Sequence, residues 1–379
     1  MKKKRRILID NLFVRRGGVE VMMWSVISKL IEQGYDVTLA AAYWHGIREP
    51  GLIPHGVHFI KRYIRQGHYK KFTPRWFANK VYYRVYGSLV SFFLSILNFD
   101  LVVSMQEKWT MKRTDKLRAK RKIAWVHTDY STRINPEKGA FPSPAEEKVC
   151  MQRFEKVICV SETVKNGLIQ TVGDPGNLFV AYNPINVEEI RAKAQRPCPL
   201  EKNRDKSLLI SVGRLVAEKQ YLMLLQACEP LWKTFDFDLW IIGEGEERKL
   251  LEAYIAEKHL KNVRLLGHQD NPFCYMRQAD LFVSSSCTEG NPLAVQEALV
   301  LGLPLVAAHC PAVAEIFDPK YGLLVGNSAA ELEAGIKKIL LDPKLLAEYR
   351  KNISNNINKE ELYDHRLDRI CSLLENKIL

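Results

Sequence analysis

The sequence predicts an α/β protein made of two Rossmann-like domains. Three observations carry this. In the first half, short apolar runs rich in Val, Ile and Leu alternate with longer amphipathic stretches. A polar segment with three prolines, Asn183 to Ser207, interrupts the pattern. The same alternation then restarts. Strands separated by helices imply a parallel sheet covered on both faces, and two such runs imply two sheets with a ligand cleft at the carboxyl ends of the strands.

The elements follow in order. "RILIDNLF" reads as a buried first strand, followed by glycines and an amphipathic helix, "VEVMMWSVISKLIEQG", closed by Gly34. "YDVTLAAAY", "VHFIKRYI", "FDLVVSM", "KIAWVHTD", "KVICVS" and "LFVAYNP" read as the remaining strands of the first domain, 1–183. A linker is expected at 184–206. The second domain, 207–360, takes its strands from "LLISVGRL", "FDLWIIGEG", "VRLLGH", "DLFVSSS", "LPLVAAH" and "YGLLVG". A last helix, about 361–379, is expected to pack back onto the first domain.

Composition narrows the class. With 379 residues, 47 % of them hydrophobic and 26 % charged, the chain has the make-up of a soluble protein with two real cores. Its eight cysteines form no C-x-x-C pair, which argues against zinc sites and a disulfide framework and for a reducing cytosol. "MKKKRRILIDNLFV" imitates the basic start of a secretory signal, but Asp10, Asn11, Arg15 and Arg16 break its apolar core. The apolar stretch from Val85 to Met105 is interrupted by Asn98 and Asp100, so a helix followed by a strand explains it without a membrane span.

Charge is distributed unevenly. Of the net +13, residues 1–125 carry +17 and the remainder −4. One half is therefore expected to face something anionic: lipid headgroups, a phosphorylated substrate or nucleic acid. The segment 60–93 interleaves Lys and Arg with Tyr, Trp and Phe. That composition suits a membrane interface, single-stranded nucleic acid, or a loop leading into a core helix.

The second half carries the most specific chemistry. In "EGNPLAVQE", Asn291 is a good N-cap and Pro292 suits the first helical position. The amides of Leu293 and Ala294 then form an anion site at the positive end of the helix. Glu289 and Glu297 bracket that site. A ligand with a phosphate region and two polyols, such as a nucleotide sugar, fits this arrangement, and so does a capped helix with two solvated acids. In "SVGRLVAEK", Arg214 and Lys219 follow a buried strand, and a guanidinium with an ammonium suits a diphosphate. In "IIGEGEER", Gly243 and Gly245 permit close backbone approach. "DFD", Asp236 to Asp238, has the form of a metal-binding pair, but it immediately precedes a strand and reads as a strand edge.

These segments, "VGRLVAEK", "IIGEGEE", "VRLLGH" and "EGNPLAVQEALVLGLPLV", in this order and spacing resemble the retaining glycosyltransferases of family 4 (group 1), which have the GT-B architecture. The resemblance covers nearly the whole chain. It implies that Arg214 and Lys219 hold the donor diphosphate, that Glu297 binds the ribose, and that Glu289 lies beside the transferred sugar. It places the backbone of Leu266 to His268, with Gly267, near the base. It implies metal independence and no cofactor beyond the nucleotide-sugar co-substrate.

One departure stands out. Where relatives have Gly-Gly-x-x-Glu, this chain has "HCPAVAEIF": Glu315 is kept, while His309, Cys310 and Pro311 replace the glycines.

In the first half, Gly17 and Gly18 match the family's phosphate-side loop, with Arg15 and Arg16 as accompanying cations. His127, at the end of "KIAWVH", matches a family histidine that contacts the transferred sugar, and Asp129 is a candidate acceptor contact or base. Ser161 reads as an N-cap, and Asn183 with Pro184 as the domain connection.

The resemblance therefore implies sugar transfer from a nucleoside-diphosphate donor, UDP-sugar favoured. The acceptor is a sugar on a lipid carrier at an anionic membrane surface, reached from the cytoplasm through segment 60–93, and no nucleic acid is involved. The rival is a non-catalytic subunit of the same fold that binds membrane and partner. A scaffold need not keep both acids, the arginine and the lysine.

Overall fold

The computed structural model describes residues 4–14, 18–44, 53–61, 74–131 and 140–375. The chain divides into two compact units, 1–184 with 366–379, and 185–365.

The first unit holds a seven-stranded sheet: β1 (Arg6–Val14), β2 (Asp36–Trp44), β3 (His58–Lys61), β4 (Phe99–Ser104), β5 (Ala119–Val126), β6 (Lys156–Cys159) and β7 (Leu178–Val180). All pairs are parallel, in the order β3-β2-β1-β4-β5-β6-β7. The central strands are mostly apolar because helices cover both faces, with the buried Asp10 and Asn11 of β1 as exceptions. The helix Gly18–Glu32 buries Met22, Met23, Val26, Ile27 and Leu30, and Gly34, at φ 87°, ends it in the left-handed conformation that glycine tolerates. The helix Pro74–Ile96 stops before Asn98, at φ 55°, where the chain turns into β4. The stretch from Val85 to Met105 is thus a helix followed by a strand. Among the described residues, no helix is long and apolar enough to cross a membrane.

The last helix, Arg366–Glu375, belongs to this first unit and buries Leu367, Ile370, Cys371, Leu373 and Leu374. Its end is held by cations. Arg121 Nη1 donates to Leu374 O at 2.7 Å and Lys156 Nζ to Leu373 O at 2.9 Å, which satisfies carbonyls that a helix end leaves open.

The second unit holds a six-stranded parallel sheet: β8 (Ser207–Val212), β9 (Phe237–Ile242), β10 (Val263–Gly267), β11 (Leu281–Ser284), β12 (Leu305–Ala308) and β13 (Gly322–Val325). The order is β10-β9-β8-β11-β12-β13. Side chains alternate between two apolar layers. Leu208, Ile210, Trp240, Ile242, Phe282 and Leu305 enter one. Leu209, Leu239, Ile241, Leu281, Val283 and Val306 enter the other. This is the strand period of two with both faces covered.

The boundary region is more structured than a linker. The helix Val187–Ala194 lies within 184–206, capped by Asn186, whose side chain accepts from Glu189 N at 3.0 Å. Val187, Ile190 and Ala194 are buried, so an i, i+3, i+7 set of modest apolar residues is enough to attach this segment to the second unit.

Candidate active site

In each sheet the strand order reverses once, and ligands of open α/β sheets bind at such switch points, beyond the carboxyl ends of the strands. In the second unit the reversal lies between β8 and β11. The loops leaving these two strands carry Arg214, Lys219 and Glu289. Lys219 and Glu289, far apart in sequence, form a side-chain ion pair that is largely shielded from solvent. The two loops are also tied by backbone. Cys287 N donates to Glu218 O at 3.0 Å, and Ser285 Oγ donates to Lys219 O at 2.7 Å. Ser285 was not evident from sequence; its place directly after β11 is the signal that marks it.

Arg214 is exposed on the same loop, and no hydrogen bond or ion pair among the described residues engages its side chain. The helix Leu293–Val300 follows at the far end of the β11 loop. Its first amides, those of Leu293 and Ala294, have no acceptor within the helix. Pro292, not Asn291, is the N-cap, and Asn291 Oδ1 instead accepts from Gln296 Nε2 at 2.7 Å. The proline closes off the capping position, so the asparagine braces the helix from outside. The anion site is thereby left to the backbone.

Glu297 stands one turn further along, half-buried. Burial pushes its carboxyl up to about 7, against the opposing pull of Lys193. Lys193 comes from the helix Val187–Ala194, within the segment expected to be a linker, so its role was hidden in the sequence.

The glycine pair makes the close backbone approach that its sequence allows. A Cβ on Gly243 would lie 1.8 Å from Gly213 O, and one on Gly245 would lie 2.1 Å from Leu215 O. Gly243 also sits at φ 145°. The close approach is therefore to the loop that carries Arg214. Leu215 N donates to Glu244 O at 2.9 Å and Glu247 N to Leu215 O at 3.0 Å. Gly243 N in turn donates to Gly267 O at 2.9 Å. Gly243 and Gly267 brace the loops of the site. His268 is exposed, its Nε2 3.4 Å from Asp270 Oδ1. Asp236 pairs with Lys206 at 2.6 Å at the amino end of β9, the opposite edge of the sheet, which makes "DFD" a strand edge.

At the departure from the family pattern, Cys310 is buried and caps the helix Pro311–Ile316. Burial pushes its thiol up to about 12, and Glu289 adds to the rise. His309 is exposed, while its backbone N donates to Val325 O at 2.8 Å.

In the first unit the reversal lies between β1 and β4. Arg15, Arg16 and Gly17 lie outside the described residues. Gly18 opens the first helix. His127 follows β5 and is held on two sides: its backbone N donates to Glu107 Oε2 at 3.1 Å, and its Nε2 lies 3.0 Å from Met105 O. A carbonyl only accepts, so Nε2 carries the proton and Nδ1 is the open nitrogen of the neutral ring. Burial lowers the pKa of His127, with Glu107 and the Met105 carbonyl opposing. Glu107 is a third residue that sequence reasoning missed, after Ser285 and Lys193, although it stands just past a strand at the switch point.

Asp129 does not offer itself to an acceptor. It is 2 % exposed, and its Oδ1 accepts from Ser131 N at 2.9 Å and Ser131 Oγ at 2.8 Å. Gly167 also packs so closely that a Cβ there would meet Asp129 Oδ1 at 2.2 Å. The carboxylate is spent on a turn. More deeply buried still is Asp10 at 0 % exposure, bound by Arg113 Nη2 at 2.7 Å and Nε at 3.0 Å.

Both units match known families. Residues 193–360 match the model of glycosyl transferases group 1, and residues 16–189 that of glycosyltransferase family 4. The chain belongs to the group 1, family 4 glycosyltransferases. Among curated members it is 36 % identical over 180 residues to an N-acetylgalactosamine-N,N'-diacetylbacillosaminyl-diphospho-undecaprenol 4-alpha-N-acetylgalactosaminyltransferase of Campylobacter jejuni, covering 46 % of this chain and 48 % of that one. It is 27 % identical over 159 residues to the lipopolysaccharide core biosynthesis glycosyltransferase LpsD of Rhizobium meliloti, covering 40 % and 46 %. The chain thus spans about half the length of the curated relatives it matches.

The glycosyltransferase fold is also that of solved structures. TarM of S. aureus, in complex with Fondaparinux, alpha-GlcNAc-glycerol and UDP, matches with a TM-score of 0.74 at 16 % identity, over 98 % of this chain and 99 % of that one. HepE of Anabaena, in complex with UDP and glucose, matches with a TM-score of 0.73 at 16 % identity, over 98 % and 100 %.

Proposed function

We propose that this glycosyltransferase moves a hexose from a nucleoside-diphosphate donor, UDP-sugar favoured, onto a sugar of a lipid-linked acceptor in cell-surface polysaccharide synthesis, with retention of anomeric configuration. The observation that carries the donor side is the Lys219–Glu289 pair, which lines one cavity with Pro292 and Ala294 at the start of the helix Leu293–Val300. The ammonium, the amides of Leu293 and Ala294 and the exposed Arg214 supply positive charge where a diphosphate leaves, so the chemistry calls for no metal. Glu289 accepts hydroxyls of the transferred sugar, Glu297 accepts those of the ribose, and His127 positions the sugar. No protein nucleophile is required. The Campylobacter relative's diphospho-undecaprenol acceptor and the UDP bound to TarM and HepE support the substrate classes. Such an acceptor puts the enzyme at the inner face of the cell membrane, on an anionic surface reached through segment 60–93.

The test is a donor screen that detects released nucleoside diphosphate, with and without membrane extract and with a chelator present. Turnover that needs lipid extract, survives chelation and is lost in Lys219→Ala and Glu297→Ala is the expected result. Undiminished turnover in both variants removes the donor-site assignment. Nucleotide binding without turnover for any donor would favour the non-catalytic subunit.

A further inference from the structure

The helix Pro74–Ile96 has two apolar faces, and among the described residues one packs against the core while the other is exposed. Leu94 is buried, and Val90 and Leu97, just past the helix end, pack with it against Leu8, Phe99, Val102 and Leu117. Val81, Val85, Leu89, Phe92, Phe93 and Ile96 are each between 54 % and 67 % exposed. At roughly 100° per residue these six fall within an arc of about 120°, a stripe about 22 Å long on the side away from the core. Six large apolar side chains aligned on one exposed helix face exceed the scattered apolar residues normal for a surface.

Charge identifies what covers the stripe. From residue 50 to residue 99 the chain has no Asp or Glu, while it has eight Lys and Arg, three of them, Arg75, Lys80 and Arg84, within this helix. A protein partner of ordinary composition would not demand the complete absence of acids over such a length. An anionic lipid surface would, because each acid there is repelled and each cation adds attraction. The other face of the helix is committed to the core, so the helix lies along the surface rather than across it.

We propose that the face formed by Val81, Val85, Leu89, Phe92, Phe93 and Ile96 inserts into the interface of an anionic bilayer. This names the surface through which the reading above reaches a lipid-linked acceptor. Its test needs no sugar transfer, so its failure and the failure of that reading are separable.

The experiment is flotation of the full chain with phosphatidylcholine vesicles, with and without phosphatidylglycerol. The expected result is binding to the anionic vesicles only, weakening with salt, and reduced at least about tenfold in the triple variant Leu89→Ser, Phe92→Ser, Phe93→Ser. Because those positions are exposed, the triple variant keeps the wild-type melting transition. An independent arm places a probe on the stripe: the added fluorescence of Phe92→Trp should shift to the blue with anionic vesicles and be quenched by brominated acyl chains. Equal binding by wild type and triple variant, no shift of the probe, or equal binding to neutral vesicles overturns the proposal. A lipid-free dimer that the triple variant abolishes also overturns it, in favour of a contact between copies.

Discussion

Replacing Glu297 by Gln should stabilise the protein and impair it at the same time. The carboxyl is raised from an ordinary 4.5 to about 7, first by burial. The folded state therefore keeps a proton that the unfolded chain releases, and stability falls as pH rises through the window from about 4.5 to 7. Above that window the full penalty applies. At about 1.36 kcal/mol per unit the shift sets an upper bound of about 3 kcal/mol, and residual solvent contact of the side chain brings the expected figure to about 1–3 kcal/mol. Gln cannot ionise, so Glu297→Gln should be more stable than wild type by that amount at pH 8 and indistinguishable from it near pH 4.

Donor binding should move the other way. Ribose hydroxyls donate to a carboxylate in charge-assisted hydrogen bonds worth about 1.5–3 kcal/mol, so the variant should lose about tenfold or more in donor affinity at pH 8. Between pH 8 and pH 6 the wild-type carboxyl goes from about nine-tenths to about one-tenth ionised, and its donor affinity should fall accordingly while that of the variant stays flat. Denaturant unfolding and calorimetric titration with nucleoside diphosphate at pH 4, 6 and 8 measure both. A variant less stable than wild type at pH 8, or a stability difference independent of pH, would refute the reasoning.

Other expectations follow from single contacts. Arg113→Ala removes the cation paired with the buried Asp10, leaving it the Thr114 hydroxyl at 3.0 Å, and should cost about 3–5 kcal/mol by denaturant unfolding, whereas a cost under 1 kcal/mol would mean that neutral partners suffice for the carboxylate. Gly243→Ala forces a Cβ into Gly213 O from a positive φ and should displace the Arg214 loop, lowering the melting temperature and donor affinity together. Cys310, buried with its thiol pushed up to about 12, should resist alkylation at neutral pH in the folded chain and react once the chain is unfolded.

The fold was legible because both sheets are covered on both faces, so the central strands read as short, mainly apolar runs, interrupted in β1 by the buried Asp10 and Asn11. Gly34 and Ser161 punctuated the helices where the structure ends and caps them. What the sequence hid was less regular. The helix Val187–Ala194 buries only three modest apolar residues among charges, too few to stand out from a polar segment. For Gly243 the sequence showed that something comes close but not what: a glycine after a strand does not say that its neighbour is the loop carrying Arg214. For Asp129, a polar residue after a strand, the sequence likewise did not show that Oδ1 closes the turn at Ser131.

The site itself was legible residue by residue but not pair by pair. Lys219 and Glu289 drew attention separately, and only the adjacency of β8 and β11 brings them together. Adjacency at a reversal of strand order is a property of topology, which a periodic pattern of strands does not express. Yet the doubly wound order is itself the expectation for such a pattern, so the reversal can be placed before any coordinates exist. Ionisable residues just past the two strands that flank the reversal then become candidates as a pair. Applied to the second unit, that rule selects Arg214, Lys219 and Glu289. Applied to the first, it selects Glu107 after β4, the carboxylate that holds the backbone of His127 and that a search for motifs passed over.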